Sequence, residues 1–186
     1  MFKADCKITD SSGIKLKEYR LWYDMMRRCY GKNKESLCPS YTECEVSDNF
    51  KSFKYFKDWC KKQKGFGNKG WQLDKDILRV GAKIYSEDIC VFVPRRVNNF
   101  FLLNKEVRGK NPIGVYYLEK ANKYRVSISR YGKPQRLGRF ESEHQAFTAY
   151  RQEKEKYAKE LAEIYKEGLD ERVYTFLKNY KVDITS

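Results

Sequence analysis

Residues 123–129, Lys-Tyr-Arg-Val-Ser-Ile-Ser, alternate apolar and polar side chains without a break. Successive side chains on a strand point to opposite faces of a sheet. This run therefore lays Tyr124, Val126 and Ile128 on one face and Lys123, Arg125, Ser127 and Ser129 on the other. One apolar face requires partners and a cover. Partners are at hand in strand-like segments at 113–118 and 135–140, joined by the turn-like Lys120-Ala121-Asn122 and by Gly132. The cover follows in sequence. Ser142-Glu143-His144-Gln145 has the form of a capping box, with Ser142 as N-cap and Gln145 at the third helical position. The helix it opens carries Ala146, Phe147, Tyr150, Tyr157, Leu161 and Ile164 on one side and ends near Gly168. A short terminal helix over 170–180 adds Val173, Phe176 and Leu177 to the core. The expected unit is a three-stranded antiparallel sheet packed on a helix.

Charge is segregated across this unit. Between residues 112 and 140 stand Lys120, Lys123, Arg125, Arg130, Lys133, Arg136 and Arg139 against the single acid Glu119, while the helix carries most of the acids. The chain as a whole has a formal net charge of +14 over 186 residues. Such a surface attracts polyanions through counterion release, and nucleic acid is the commonest polyanion in a cell. A solvated sheet face is the plainer alternative. A membrane is a weaker partner: there is no basic amphipathic helix with a clean apolar face, and no apolar run nears the roughly 20 residues of a bilayer span. The N-terminus, MFKADCKITD, lacks an apolar signal core, so a soluble, cytoplasmic protein is expected.

The first half is read from helical spacing. Trp22, Met25, Met26 and Cys29 fall at i, i+3, i+4 and i+7 within 17–30. A loop-like stretch at 31–47 precedes a second helix, N-capped by Ser47 or Asp48, with Phe50, Phe53, Phe56 and Cys60 or Trp59 inward. Lysines 51, 54, 57, 61, 62, 64 and 69 flank that helix with only Asp58 against them, which favours a phosphate-contacting edge. Gly65, Gly67 and Gly70 then break the chain ahead of a hairpin-like stretch at 71–99. Six cysteines form no CxxC pair and lie far from the only histidine, His144, so reduced buried thiols are expected and no zinc. A polar, Gly-containing segment at 104–111, ended by Pro112, divides the chain into modules 1–104 and 112–186.

Gly114-Val115, Lys123-Tyr124-Arg125-Val126-Ser127-Ile128, Leu137-Gly138-Arg139-Phe140 and Glu143…Ala146…Ala149-Tyr150 together resemble the Apetala-type DNA-binding domain, over residues 112 to about 158. That domain also occurs in integrases and phage homing endonucleases. The resemblance implies a sheet set in the major groove, with Tyr116, Lys123, Arg125, Ser127, Ser129, Lys133, Arg136 and Arg139 contacting bases and phosphates of double-stranded DNA.

The first module is similar to the HNH-like module that precedes this domain in phage homing endonucleases. Trp22, Met25, Arg28-Cys29-Tyr30, the aromatic helix, Leu73-Asp74-Lys75-Asp76-Ile77, Tyr85-Ser86, Cys90-Val91-Phe92-Val93-Pro94 and Asn98 carry the likeness. The resemblance implies a mixed α+β chain with an HNH-like helix/hairpin/helix module. An HNH site uses a histidine base, a residue that orients it, and one divalent ion on the scissile phosphate. Here Lys75 stands at the base position and Ile89 at the orienting one, and Asn98 alone is kept at the third. Lysine titrates near about 10.4 and is a poor base at neutral pH. By period two, Asp74 and Asp76 share one face with Lys75 opposite.

Three readings stay open. Asp74 or Asp76 with Asn98 binds Mg2+ or a similar divalent ion while Lys75 steadies the phosphate, giving a slow nickase or endonuclease with catalytic residues Asp74, Lys75, Asp76 and Asn98 and metal ligands Asp74 and Asn98. Or catalysis is lost, and the fold serves as a regulator on DNA or an inhibitor of a host nucleic-acid-binding protein, with a host or phage protein as partner. Or the triplet is a hairpin edge with surface charges. Tyr85 as nucleophile or phosphate ligand is weighed against a core tyrosine.

Overall fold

The computed structural model describes residues 2–32, 34–37, 39–101 and 111–182. It is a mixed α+β chain that forms two compact units. One runs to Arg95 and includes Gly168–Asp170; the other comprises Arg96–Glu167 and the chain from Glu171 onward. The expected division at 104–111 falls almost wholly outside the described residues.

In the first unit, α1 (Lys17–Tyr30) buries Trp22, Met25, Met26 and Cys29, the four positions its spacing selects. Trp22 meets the aromatic helix directly, its Nε1 donating to the Phe50 carbonyl at 2.7 Å. Beyond the short α2 (Lys34–Leu37) and strand β1 (Glu45–Val46), that helix comes in two pieces, α3 (Asp48–Lys51) and α4 (Phe53–Lys62). Two serine caps make the break. Ser47 Oγ accepts from the Phe50 amide, and Ser52, in extended conformation, accepts from the Tyr55 amide. A single helix over this stretch would leave Ser52 inside it, where its hydroxyl competes for backbone donors. Phe50, Phe53, Phe56, Trp59 and Cys60 are all buried on the side that the sequence selects.

Antiparallel strands β2 (Trp71–Asp74) and β4 (Val91–Pro94) form the hairpin, pairing Trp71 with Pro94 and Asp74 with Val91. Between them β3 (Ile84–Tyr85) pairs in parallel with β1. Gly65, at φ +79°, lies under the Trp71 ring, which a side chain there would strike at 2.3 Å. Cys29, Cys44, Cys60 and Cys90 are buried free thiols. Burial pushes those of Cys29 and Cys90 up to about 12.

In the second unit, α5 (Arg95–Phe101) buries Val97 and Phe100. Strands β5 (Val115–Leu118), β6 (Lys123–Arg130) and β7 (Lys133–Phe140) form an antiparallel sheet in that order. Val115, Val126 and Ile128 pack on Ala146, Phe147 and Tyr150 of α6 (Glu143–Tyr165), and Ser142 Oγ caps α6 by accepting from the Gln145 amide at 3.2 Å. Gly114, at φ +75°, admits the Tyr150 ring, which any β-carbon there would meet at 2.2 Å. The terminal helix α7 (Glu171–Lys178) buries Val173 and Leu177, while Phe176 is half-buried against Phe101 and Tyr180. Ile164 departs from expectation and is 52% exposed. The buried stripe runs through Tyr157, Ala158, Leu161 and Ala162, and the next position on it is Tyr165. Among the described residues no helix is long and apolar enough to cross a membrane.

Candidate nucleic-acid interface

The register of the sheet assembles one exposed cationic face. Arg125 on the central strand stands opposite Tyr116 on β5 and Arg139 on β7, and Ser127 stands opposite Arg136. Arg136 and Arg139 are three apart in sequence, so an unbroken strand would send them to opposite faces. The register instead slips between Val126 and Ser127, leaving Leu137 without a partner on β6. This bulge returns both arginines to the face of Arg125.

The Arg125 guanidinium lies over the Tyr116 ring at 5.2 Å from its centroid, and its Nε is buried without a hydrogen-bond partner. Tyr116, Arg136, Arg139 and Ser129 are exposed. Ser127 Oγ donates to the Gln135 carbonyl at 3.2 Å, across the bulged pair of strands. Lys123 is paired with Glu141 at 2.8 Å in solvent. Two basic residues of the stretch belong elsewhere. Arg130 follows Val126 and Ile128 to the helix side, where Glu153 and Glu160 of α6 hold its guanidinium. Lys133 pairs with Arg130 in register, which places it on that same row rather than beside Arg125.

The Asp74–Asp76 segment has a different geometry from the two-sided strand expected of it. Strand β2 ends at Asp74, whose Oδ1 accepts from the amides of Asp76 and Ile77 at 2.9 and 2.8 Å. This is an Asx-type turn, and it stops the period-two alternation at the first aspartate. Lys75 then turns inward and is only 5% exposed. Its ammonium donates to Asp76 Oδ1 at 2.7 Å and to the Ala82 carbonyl at 2.6 Å, beneath the rings of Tyr41 and Tyr85. Burial alone would lower the Lys75 pKa, but the Asp76 carboxylate outweighs it and the net shift is upward. Burial raises Asp74, against the pull of its two backbone donors.

Tyr85 is buried, its hydroxyl accepting from Arg28 at 3.4 Å, and desolvation drives its pKa upward, away from a nucleophile's range. Ile89 is half-buried, just before β4. Asn98 lies on α5, in the second unit, whereas Asp74 belongs to the first. Among the described residues no three histidine, cysteine or acidic side chains are grouped to hold a metal. Of the lysine run, Lys54, Lys61, Lys62, Lys64 and Lys69 are exposed, and Lys51 is paired with Asp48.

Sequence reasoning missed two features of the second unit. One is Arg96, whose guanidinium lies over the Tyr131 ring at 4.7 Å; the adjacent Arg95-Arg96 pair was its only signal. The other is Lys154, buried in the apolar stripe of α6 and four residues after Tyr150. Its ammonium donates to the Phe100 carbonyl at 2.6 Å and sits over the Phe100 ring at 3.7 Å. No family model, no curated protein and no solved structure matches the chain.

Proposed function

We propose that this chain binds double-stranded DNA through the exposed face of β5–β6–β7, and that its first unit is a non-catalytic member of the HNH-like group it resembles. The observation that carries the DNA reading is the row Tyr116–Arg125–Arg139 with Arg136 beside it. Like charges directly opposite on a sheet are destabilising, so their concentration on one face points to an anionic partner. Stacking on Tyr116 holds Arg125 in place and leaves the outer edge of its guanidinium for a guanine or a phosphate. The resemblance to the Apetala-type domain supports the same face. The exposed lysines around α4 supply a sequence-independent backbone contact.

Loss of cleavage is supported by how the Asp74–Asp76 turn is bonded. A general base must be neutral, and Lys75 is held charged between a carboxylate and a carbonyl. The donor set suits an ammonium, which Lys75 supplies. A divalent ion there would compete with that ammonium for Asp76, and with two amides for Asp74 Oδ1. These residues do not fit the Mg2+ site that the resemblance implies.

One preparation tests both halves. Arg125→Ala with Arg136→Ala weakens duplex binding and flattens its dependence on salt; wild-type binding by that double variant would remove the sheet from the interface. Supercoiled plasmid stays intact in Mg2+ and in Mn2+. Nicking that disappears in Asp74→Ala would restore the endonuclease reading.

A further inference from the structure

Tyr131 and Gly132 close the β6–β7 hairpin, both at positive φ, 53° and 77°. The pair has the sign pattern of a type I′ turn, which Asn-Gly fills with least strain. A residue with a bulky ring takes this conformation only against steric resistance. Its neighbours hold it there. The Tyr131 amide donates to the Tyr157 hydroxyl at 3.0 Å, and the two rings meet edge to face at 5.3 Å. Tyr131 nevertheless stays 45% exposed.

Three cations surround this turn and differ in how they are neutralised. Arg130 is answered by Glu153 and Glu160. Arg96 is exposed, lies over the Tyr131 ring at 4.7 Å, and has no carboxylate within ion-pair distance among the described residues. Lys133, exposed next to the turn, has none either. A guanidinium resting on an aromatic face keeps its in-plane N–H groups free and oriented, which suits the fork of a phosphate.

We propose that Arg96, positioned by Tyr131 and joined by Lys133, is a phosphate-binding site at the hairpin tip that grips a nucleic-acid backbone. The identity of the phosphate's source rests on the DNA reading above, but the site lies off the row of Arg125 and carries no base preference. It also gives Lys133 a role that its register denies it on the sheet face.

The test is binding of the full chain to two short duplexes of unrelated sequence across a salt series. Arg96→Ala weakens both by the same factor, about 5- to 10-fold, and lowers the magnitude of the salt slope by about 1. Arg96→Lys keeps the slope and loses part of the affinity. Tyr131→Gly, which fits the turn without strain, reproduces part of the loss, whereas Tyr131→Phe binds as wild type. Unchanged affinity and slope in Arg96→Ala would overturn the site. An unaffected Tyr131→Gly beside a weakened Arg96→Ala would overturn the positioning role of the ring. Loss in Arg125→Ala/Arg136→Ala with none in Arg96→Ala removes this site alone, and the converse removes the sheet face alone. A wild-type chain that binds neither duplex removes both.

Discussion

Arg125 and Arg139 stand directly opposite one another on β6 and β7, two like charges paired across an antiparallel sheet. Opposed like charges oppose folding, so under the proposed DNA reading stability and binding pull in different directions at this pair. Arg139→Thr removes the repulsion, keeps a good strand former and raises stability by about 0.5 kcal/mol. It weakens duplex binding at the same time. Urea denaturation and a gel shift on the one variant check both signs.

Asp74 offers a separation of roles by chemistry. Its Oδ1 terminates two backbone amides, a task that an amide oxygen performs equally well. Asp74→Ala orphans both donors and costs about 2 kcal/mol. Asp74→Asn keeps the turn. Because burial raises the Asp74 pKa, ionisation of this carboxyl costs stability as pH rises through it. The neutral Asn variant is therefore at least as stable as wild type at pH 7, by urea denaturation.

Lys75 is a tether. Removing it as Lys75→Met leaves the Ala82 carbonyl and the Asp76 carboxylate without their cation, and costs about 3 kcal/mol. The raised pKa means that its contribution is complete below the unfolded-state value and fades only as pH climbs through the folded one. Between pH 6 and 9 the deficit of Lys75→Met stays flat in chemical denaturation.

Lys154 has the opposite sign. It is buried with a carbonyl and a ring, and desolvation lowers its pKa to about 8 from an ordinary 10.5. Between those two values the unfolded chain binds the proton that the folded one releases, so stability rises with pH there. The span amounts to about 3 kcal/mol. Lys154→Met flattens the rise between pH 8 and pH 10, read from denaturation midpoints in matched buffers.

The elements that pattern alone reveals are those whose side chains do one job. Trp22, Met25, Met26 and Cys29 bury as their spacing requires, and Ser142 caps α6 as its box predicts. Legibility fails where a side chain overrides the backbone period. Ser52 splits a helix that its neighbours' spacing would continue, and Asp74 ends a strand by bonding its own turn. Charged residues mislead by burial. Arg130, Lys75 and Lys154 all look like surface cations in a list of residues, and each is taken up by groups that are distant in sequence or invisible in it: two glutamates, a carbonyl, a ring. The sheet face was readable on β6 and not on β7, because the unpaired Leu137 breaks the count.

That unpaired residue is where β7 tolerates a change of length. Exchanging Leu137 for another apolar side chain leaves every arginine where it is. Deleting it leaves net charge and charged composition untouched and sets Arg136 two residues from Arg139, so that a strict two-residue repeat keeps both on the outer face, opposite Ser127 and Arg125. A lineage of such chains is free at Leu137 both to exchange one apolar side chain for another and to lose the residue altogether.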